Sequence, residues 1–530
     1  MPTGADILVD RLHHHGIRTI FGMPGSHITS LYDAIARHGG FRTILIRNEQ
    51  AGAFAADGFA RVTGQPGVIC TTAGPGATNA LTGIGEAWAD SIRLLLLTGQ
   101  VNHDRLHQEC GAYHEIDLEG ILRPCTKHVA TMMSLDDIVG QVDRAYHAMV
   151  SGRPRPAALV LPQDLMGQSA SAFPRTTPTL PEVSIPVPDE KKLDAALALI
   201  RQSRRPIILA GGGAISSGVE ASLAAFADRI DAAVVTTLNG KGILDERHPR
   251  SLGHARSARA QAAWPHADLV IALGCRFTEV FTGFRKLQIP GKLVQVDIDR
   301  GQLGINYPTD IAIEADVHAF VRMAMNKIAE PHRSQWGEIM ERARKAKVER
   351  PEWFIETLRA SLPDDAVVFT DASEMAYRMH MDFPAYGPRS FFYPSNFIAL
   401  GWGFPAAVGA AAALPDRLVV SVSGDGGFTM TSQELATAAR YRLKVIAIVH
   451  NDSTYGAIKN IQQRRHGERY LDVELNNPDF MKLAEAYGVP ATRAADAASF
   501  ATALQEAQQR DGPSLIEVPD EWRYLRPLAN

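Results

Sequence analysis

The 530-residue sequence has few cysteines, a nearly balanced charge and no long apolar run. The four cysteines, Cys70, Cys110, Cys125 and Cys275, are scattered without a CxxC pair, so we expect inert thiols and neither a zinc cluster nor a disulfide framework. The net charge of −4 offers no basic field for nucleic acid or anionic lipid. No stretch approaches the roughly 20 apolar residues that cross a bilayer, and residues 1–10 lack a secretory pattern. We expect a cytoplasmic protein that binds neither nucleic acid nor membrane.

Strand-like apolar runs alternate with helical patterns along the chain, which is typical of parallel sheets covered by helices. The length is too great for one core and favours about three domains. A Pro-, Thr- and Ser-rich stretch at residues 169–188 indicates a linker, and a charged helical stretch at about 333–350 precedes the last block. We predict an α/β fold of three Rossmann-like, doubly wound domains, called here the first, middle and third blocks: residues 1–168, 189–327 and 351–530.

Thirteen apolar runs are predicted to be buried strands. In the first block they are residues 19–22, 43–46, 67–72, 93–98 and 157–161. In the middle block they are residues 206–210, 233–237, 269–273 and 293–297. In the third block they are residues 366–370, 418–422, 445–449 and 514–518.

Two turns in the third block are the most informative feature. A Gly-Asp-Gly-Gly turn at residues 424–427 follows one predicted strand, and an Asn-Asp pair at 451–452 follows the next. Neighbouring parallel strands deliver such side chains to one carboxyl edge, where α/β folds bind ligands. Asp425, Asp452 and the Thr454 carbonyl would give Mg²⁺ three hard oxygens and leave places for diphosphate oxygens and water. Two tight turns with solvated aspartates are the alternative, which the paired spacing disfavours.

This Gly-Asp-Gly to Asn spacing resembles the diphosphate-binding signature of thiamine diphosphate enzymes. From Gly4 to about Pro519 the sequence resembles acetohydroxyacid (acetolactate) synthases. Many members carry Asn where this chain has Asp452, and catabolic, FAD-independent acetolactate synthases are similar to it there. The resemblance implies thiamine diphosphate and Mg²⁺ as cofactors. The third-block residues that it places at the cofactor are Ser373, Ile398, Leu400, Gly424, Asp425, Gly426, Gly427, Asp452, Thr454, Tyr455, Gly456 and Ala457.

Leu400 matches the bulky aliphatic residue that bends the cofactor in this family, and plain core packing is its alternative role. The synthases usually have Gly where Ile398 stands, but only a backbone carbonyl is needed there. Both residues are expected beside the pyrimidine.

Glu49 follows a predicted strand and opens a helix. By resemblance it is the glutamate that holds a ring nitrogen of the aminopyrimidine and thereby activates the thiazolium carbon. A capping or ion-paired glutamate at a helix start is the alternative. The resemblance also places Pro24, Thr72 and Asn79 beside the cofactor, the last two on a Gly-rich turn that reaches it from a neighbouring subunit.

Further positions are expected to face the substrate: Ser26, His27, Tyr113, His114, Ile458, Ile461 and Gln462. Together with Glu49, we predict Ser26, His27 and His114 to be catalytic. His114 stands where the synthases have Gln, and an imidazole acts as acid or base near neutral pH. A buried structural histidine is the alternative for both His27 and His114. Ile458 stands where pyruvate decarboxylases keep a glutamate, which argues against simple acetaldehyde release.

The resemblance implies decarboxylation of a 2-keto acid and ligation to an aldehyde or keto acceptor, as in acetolactate synthase. The alternatives are a benzoylformate-like decarboxylase, which residues 454–457 resemble, and an aldehyde or 2-hydroxyacyl-CoA lyase. A non-catalytic protein with this fold is disfavoured because Glu49, Asp425 and Asp452 are all present.

The middle block resembles the FAD-binding domain of anabolic synthases at residues 210–214 and 276–283. The second motif lacks both aspartates, one being Glu279, and its second arginine is Val280, so we expect no FAD. Because the pyrimidine and diphosphate halves lie on separate blocks, the resemblance implies a homodimer or homotetramer that completes each site between chains.

Overall fold

The computed structural model describes residues 1–108, 110–171, 183–347 and 352–520, which form three sheets of six parallel strands each. The first block contains β1 (Thr19–Gly22), β2 (Arg42–Leu45), β3 (Gly67–Thr71), β4 (Leu94–Gln100), β5 (His128–Thr131) and β6 (Ala157–Pro162). The middle block contains β7 (Pro206–Ala210), β8 (Ala233–Thr236), β9 (Ser251–His254), β10 (Leu269–Leu273), β11 (Lys292–Asp297) and β12 (Ile311–Glu314). The third block contains β13 (Val367–Thr370), β14 (Phe391–Phe392), β15 (Val419–Gly424), β16 (Val445–Asn451), β17 (Ala491–Arg493) and β18 (Ser514–Pro519). The predicted α/β class is confirmed.

Helices flank all three sheets. Those of the first block are α1 (Gly4–His14), α2 (Thr29–His38), α3 (Glu49–Thr63), α4 (Pro75–Asp90), α5 (Leu118–Leu122), α6 (Asp137–Val150) and α7 (Gln163–Gly167). Those of the middle block and the segment after it are α8 (Glu190–Gln202), α9 (Gly212–Ser216), α10 (Glu220–Arg229), α11 (Ala258–Ala263), α12 (Val317–Lys327) and α13 (Gly337–Lys345). Those of the third block are α14 (Trp353–Ser361), α15 (Glu374–Asp382), α16 (Gly403–Ala413), α17 (Asp425–Thr431), α18 (Leu435–Arg440), α19 (Gly456–His466), α20 (Phe480–Ala486) and α21 (Ala497–Gln509). None of these helices is long and apolar enough to cross a membrane.

In each sheet the winding direction reverses between one central pair of neighbouring strands. The strand orders are β2-β1-β3-β4-β6-β5, β12-β11-β10-β7-β8-β9 and β14-β13-β15-β16-β18-β17. Two strands that flank such a reversal leave a crevice beyond their carboxyl ends, which is where ligands bind in doubly wound sheets. The three crevices lie between β1 and β3, between β7 and β10, and between β13 and β15.

The strands that the sequence did not predict are β5, β9, β12, β14 and β17, and each lies at the edge of its sheet. An edge strand pairs on one side only and is often short, so it lacks the continuous apolar run of a central strand. The predicted linker at 169–188 lies partly outside the described residues. The predicted domain boundaries stay a prediction.

Helices α3 and α16 join the first and third blocks within one chain. A Cβ atom at Gly58 would lie 2.0 Å from the Ala406 carbonyl oxygen, and one at Gly409 would lie 1.8 Å from the Ala55 carbonyl oxygen. Only glycine allows backbones to approach this closely. The apolar core around this contact is continuous between the two blocks, so the blocks that carry the predicted cofactor residues are held in one fixed relation.

A buried histidine pair lies where the middle and third blocks meet. His254 ends β9 and His380 is on α15, and both side chains are almost fully buried. Burial, together with the nearby Lys241 ammonium, lowers the pKa of His380 to about 3 and holds the pKa of His254 well below its ordinary value. Both imidazoles are therefore neutral in the folded chain at pH 7.

We expect this pair to make the fold sensitive to acid. An unfolded histidine takes up a proton below its ordinary pKa of about 6.5, whereas folded His380 does not, so stability falls as the pH falls from 6.5 towards 3. At pH 5 the loss in free energy of unfolding is about 2 kcal/mol for His380 alone. Urea unfolding at pH 7 and pH 5 should show a smaller loss for His380→Leu than for the parental chain. The control is His14→Leu, at an exposed position, whose free energy of unfolding should fall between pH 7 and pH 5 by as much as that of the parental chain. An equal fall in the parental chain and both variants would contradict the expectation.

Candidate active site

The crevice between β13 and β15 opens into a cavity of about 310 Å³ that is lined by the third block. Its lining includes Ser373, Ile398, Leu400 and the turns at 424–427 and 454–457. Asp452 lines it as well, so the structure brings together all the third-block residues that were predicted at the cofactor. The backbone of Ile398 is in the left-handed region, with φ +60°. A β-branched residue is strained in this region, whereas glycine is not.

Two carboxylates from neighbouring parallel strands meet at this cavity. Asp425 follows β15 and accepts a hydrogen bond from the Gly426 amide at 2.8 Å, and Asp452 follows β16 and accepts one from the Thr454 amide at 2.9 Å. Burial, with the negative charge of Asp452 nearby, raises the pKa of Asp425 to about 6, and burial raises the pKa of Asp452. A divalent cation would relieve this repulsion. These oxygens fit Mg²⁺, which prefers hard oxygen ligands.

The glycines of the turn leave no space for side chains. A Cβ atom at Gly426 would lie 2.5 Å from the Tyr455 ring, and one at Gly427 would lie 2.8 Å from Asp371 Oδ2. Tyr455 directly precedes α19, whose first residue Gly456 also lines the cavity. The free backbone amides at the start of such a helix favour a phosphate group.

Glu49 is the first residue of α3, and its carboxylate does not cap the helix. The Asn48 side chain is the cap, because its oxygen accepts a hydrogen bond from the Gln50 amide at 2.9 Å. Glu49 is 6% exposed, and its Oε2 accepts a hydrogen bond from Asn79 Nδ2 at 3.0 Å. In this chain Asn79, predicted to contact the cofactor, orients Glu49.

The loops after β1 and β3 meet at His27, in the crevice of the first sheet. Ser26 Oγ lies 3.2 Å from His27 Nδ1, and Thr72 Oγ1 lies 3.4 Å from the same atom. The rings of Tyr113 and His114 stack on each other, and the His27 and His114 ring centres are 5.4 Å apart. Burial, together with His114, lowers the pKa of His27. The His27 imidazole is therefore neutral near pH 7 and able to accept a proton.

His114 has two unusual properties. Its backbone is left-handed, with φ +69°, which is uncommon outside glycine. Its Nδ1 atom is buried and has no hydrogen-bond partner among the described residues. A buried polar atom without a partner costs free energy, so this atom is suited to meet a ligand.

Pro24, which was predicted beside the cofactor, lies exposed in the loop after β1.

Among the described residues, the first-block residues predicted at the active site do not line this third-block cavity. Glu49, Asn79 and His27 do not line the 310 Å³ cavity. Ile458 lines it from α19, and Ile461 lies one turn further along, with 50% and 36% of these side chains exposed. Exposed apolar side chains beside a cavity favour coverage by another protein surface.

Two further polar residues of the third block make side-chain hydrogen bonds near this site. Asn477, which no sequence pattern singled out, donates hydrogen bonds to Asp425 Oδ2 at 2.6 Å and to Asn451 Oδ1 at 2.9 Å. Gln462, predicted to face the substrate, exchanges two hydrogen bonds with the Leu471 backbone. Asn477 therefore orients a predicted metal ligand, and Gln462 holds the chain after α19.

The crevice between β7 and β10 opens into a larger cavity of about 660 Å³ that all three blocks line. Its glycines pack backbone against backbone, since a Cβ atom at Gly213 would lie 2.7 Å from Gly274 Cα. This close backbone contact is by itself a sufficient reason for glycine in the turn, so the glycines do not require a bound flavin. Arg276 lines the cavity and donates a hydrogen bond to the Ala89 carbonyl at 2.8 Å. The absence of FAD stays a prediction.

Three family models match the chain, each described as a domain of thiamine pyrophosphate enzymes. The N-terminal TPP binding domain matches residues 2–121, the central domain residues 193–324, and the C-terminal TPP binding domain residues 371–518. A probable acetolactate synthase large subunit of Methanocaldococcus jannaschii is 35% identical, with 97% of this chain and 91% of the relative aligned. An acetolactate synthase large subunit of Parasynechococcus marenigrum is 36% identical, with 97% of this chain and 87% of the relative aligned. The acetolactate synthase isozyme 3 large subunit of Escherichia coli is 32% identical, with 92% of this chain and 89% of the relative aligned.

Proposed function

Because the chain belongs to the thiamine pyrophosphate enzyme family and resembles acetolactate synthase large subunits over nearly its whole length, we propose that it decarboxylates a 2-keto acid and joins the remaining acyl unit to a second carbonyl compound. The observation that carries this proposal is the meeting of Asp425 and Asp452 at one sheet edge, beside Leu400. Thiamine diphosphate supplies the carbon nucleophile and the electron sink for this chemistry. The relatives favour ligation over the decarboxylase and CoA-lyase alternatives.

We assign the binding roles to the third block. Asp425, Asp452 and the Thr454 carbonyl would hold Mg²⁺, through which the diphosphate group would be bound. The glycines at 424–427 let the backbone approach the phosphates. Leu400 and Ile398 contact the pyrimidine side. Asn477 keeps Asp425 in the orientation that the metal needs.

We assign the proton-transfer roles to the first block. Glu49 holds a proton at the aminopyrimidine ring nitrogen, with Asn79 fixing the carboxylate. The neutral His27 imidazole exchanges a proton with the carbonyl compound that accepts the acyl unit. Ser26 Oγ lies beside its Nδ1 atom. His114, whose ring centre lies 5.4 Å from that of His27, would assist with its unpartnered Nδ1 atom.

The separation of the two groups within one chain supports an assembly of at least two chains. The exposed Ile458 and Ile461 at the third-block cavity would then be covered by the first block of a partner. We propose a homodimer or homotetramer in the cytoplasm that acts on small keto acids and aldehydes, without nucleic acid or membrane.

Products formed from pyruvate test this function. With thiamine diphosphate and Mg²⁺, we expect mass spectrometry to detect CO₂ release coupled to a 2-hydroxy-2-methyl-3-keto acid, because the acyl unit adds to a second pyruvate. An added aldehyde should give a 2-hydroxyketone in competition. Reactions without the cofactor are the control. Free acetaldehyde as the only product, with or without an acceptor, would contradict ligation.

A further inference from the structure

Three buried carboxyl groups of the first block hold a third-block segment at residues 395–402, here called the wedge segment because it carries Leu400. Two of these carboxyl groups are on α4: Asp90 accepts hydrogen bonds from Ser395 and Asn396, and Glu86 Oε2 accepts one from the Ala399 amide at 3.1 Å. The third is Asp57 on α3, which accepts a hydrogen bond from the Trp402 indole at 2.8 Å. The segment at the cofactor cavity is thus fixed by side chains from the other block of the same chain.

The third block holds the segment before Glu49 in the same manner. The Leu45 amide donates to the Tyr441 hydroxyl at 2.8 Å, the Thr437 hydroxyl donates to the Leu45 carbonyl at 3.1 Å, and the Arg47 amide donates to Glu434 Oε1 at 3.0 Å. Glu86 is 0% exposed and Glu434 is 1% exposed. Each block therefore uses one buried glutamate to hold a backbone amide of the other.

Glu86 shares one guanidinium with two other acids. The Arg61 guanidinium lies 2.8 Å from Asp57, 3.0 Å from Asp90 and 3.8 Å from Glu86. One positive charge does not balance three negative charges in a buried site. Burial, with Asp90 beside it, raises the pKa of Glu86 to about 9.

Glu86 is therefore a neutral acid at pH 7 that accepts the Ala399 hydrogen bond. Burial raises the pKa of Glu434 to about 7. A glutamine side chain reproduces the shape of a protonated glutamate and keeps an oxygen acceptor.

We propose that Glu86 and Glu434 are positioning residues, each fixing through one backbone amide the segment of the opposite block that touches thiamine diphosphate. This inference rests on the proposed function. Glu86 acts through Ala399 on the wedge segment and so on the binding of the cofactor. Glu434 acts through Arg47 on the placement of Glu49 and so on proton transfer.

The two roles predict different losses. Glu86→Leu leaves the Ala399 amide without an acceptor, and we expect the thiamine diphosphate Kd to rise at least about tenfold. Glu434→Leu should leave this Kd within about threefold but lower kcat at least about tenfold, because Glu49 is displaced. Glu86→Gln and Glu434→Gln keep the acceptor and should restore both quantities to within about threefold.

Calorimetry of thiamine diphosphate with Mg²⁺ and steady-state kinetics with pyruvate measure these quantities. Asp143→Asn is the matched control, since Asp143 is a buried first-block carboxylate that bonds Arg11 and His15. It should lower thermal stability without changing Kd or kcat. If Glu86→Leu does not fold, Glu86→Asp, one methylene too short to reach Ala399, should show the same rise in Kd.

The outcomes separate this inference from the proposed function. Folded leucine variants with parental Kd and kcat would overturn the positioning roles, as would glutamine variants that are as impaired as the leucine variants. A parental chain that neither binds the cofactor nor converts pyruvate would overturn the proposed function itself.

Discussion

Replacing Glu49 with glutamine should lower kcat by a factor of about 10² to 10⁴, with the Kd for thiamine diphosphate changed only a few-fold. Glutamine keeps the size of the side chain and an oxygen for the Asn79 amide, so the local structure is preserved. It removes the carboxyl group that exchanges a proton with the aminopyrimidine ring. Pyruvate kinetics under saturating cofactor, together with calorimetry, measure the two effects separately.

Glu190→Gln is the matched control for this variant. Glu190 is also the first residue of a helix, α8, behind a capping side chain, but it is exposed and lies in the middle block. If Glu49 acts only through the helix terminus, both variants would lose a little stability and keep their activity. Parental turnover by cofactor-loaded Glu49→Gln would therefore remove the catalytic assignment.

Replacing Asp425 with alanine should weaken thiamine diphosphate binding at least ~100-fold and abolish detectable turnover. The change removes one of two carboxylates at the proposed metal site and leaves Asn477 without its Asp425 partner. Titration calorimetry with MgCl₂ and with a chelator should give the same weak binding for this variant, because metal no longer assists. The parental chain should bind tightly only with MgCl₂.

Asp416→Ala is the matched control, because Asp416 is exposed and precedes β15, whereas Asp425 follows the same strand. It should bind the cofactor as the parental chain does. Tight, metal-assisted binding by Asp425→Ala would contradict the metal assignment.

Mixing the two inactive variants tests whether sites form between chains. A hybrid of Glu49→Gln and Asp425→Ala chains has one site with both defects and one intact site. Random exchange makes half of the dimers hybrid, so about a quarter of the parental activity should return. No recovery, with exchange verified by mass spectrometry, would place both halves of the site in one chain.

The sequence predicted the central strands and the third-block cavity because both depend on local patterns. Buried strands such as β4 and β10 contain continuous apolar runs. The turn at 424–427 lies at the end of another buried strand, β15. Five of the six edge strands, all except β2, were missed because one side of such a strand lacks a partner. Turn chemistry and strand order together then bring Asp425 and Asp452 to one edge.

Other parts of the site depend on contacts that are distant in sequence. Asn477 is 52 residues from Asp425, and Glu86 is 313 residues from Ala399. The spacing of apolar residues along the sequence does not indicate which distant residues will be in contact. The same is true of His27 and His114, whose ring contact results from the chain path between two strand ends. The roles assigned to these residues stay predictions.

The glycine contact between α3 and α16 restricts how this protein can change. At Gly58 and Gly409 even one added methyl group would force the helices apart, and with them both halves of the catalytic machinery. New substrates therefore have to be accommodated elsewhere, on loops that follow the strands, such as those of His27 and His114. A directed-evolution library should leave this helix pair untouched and place its diversity on those loops.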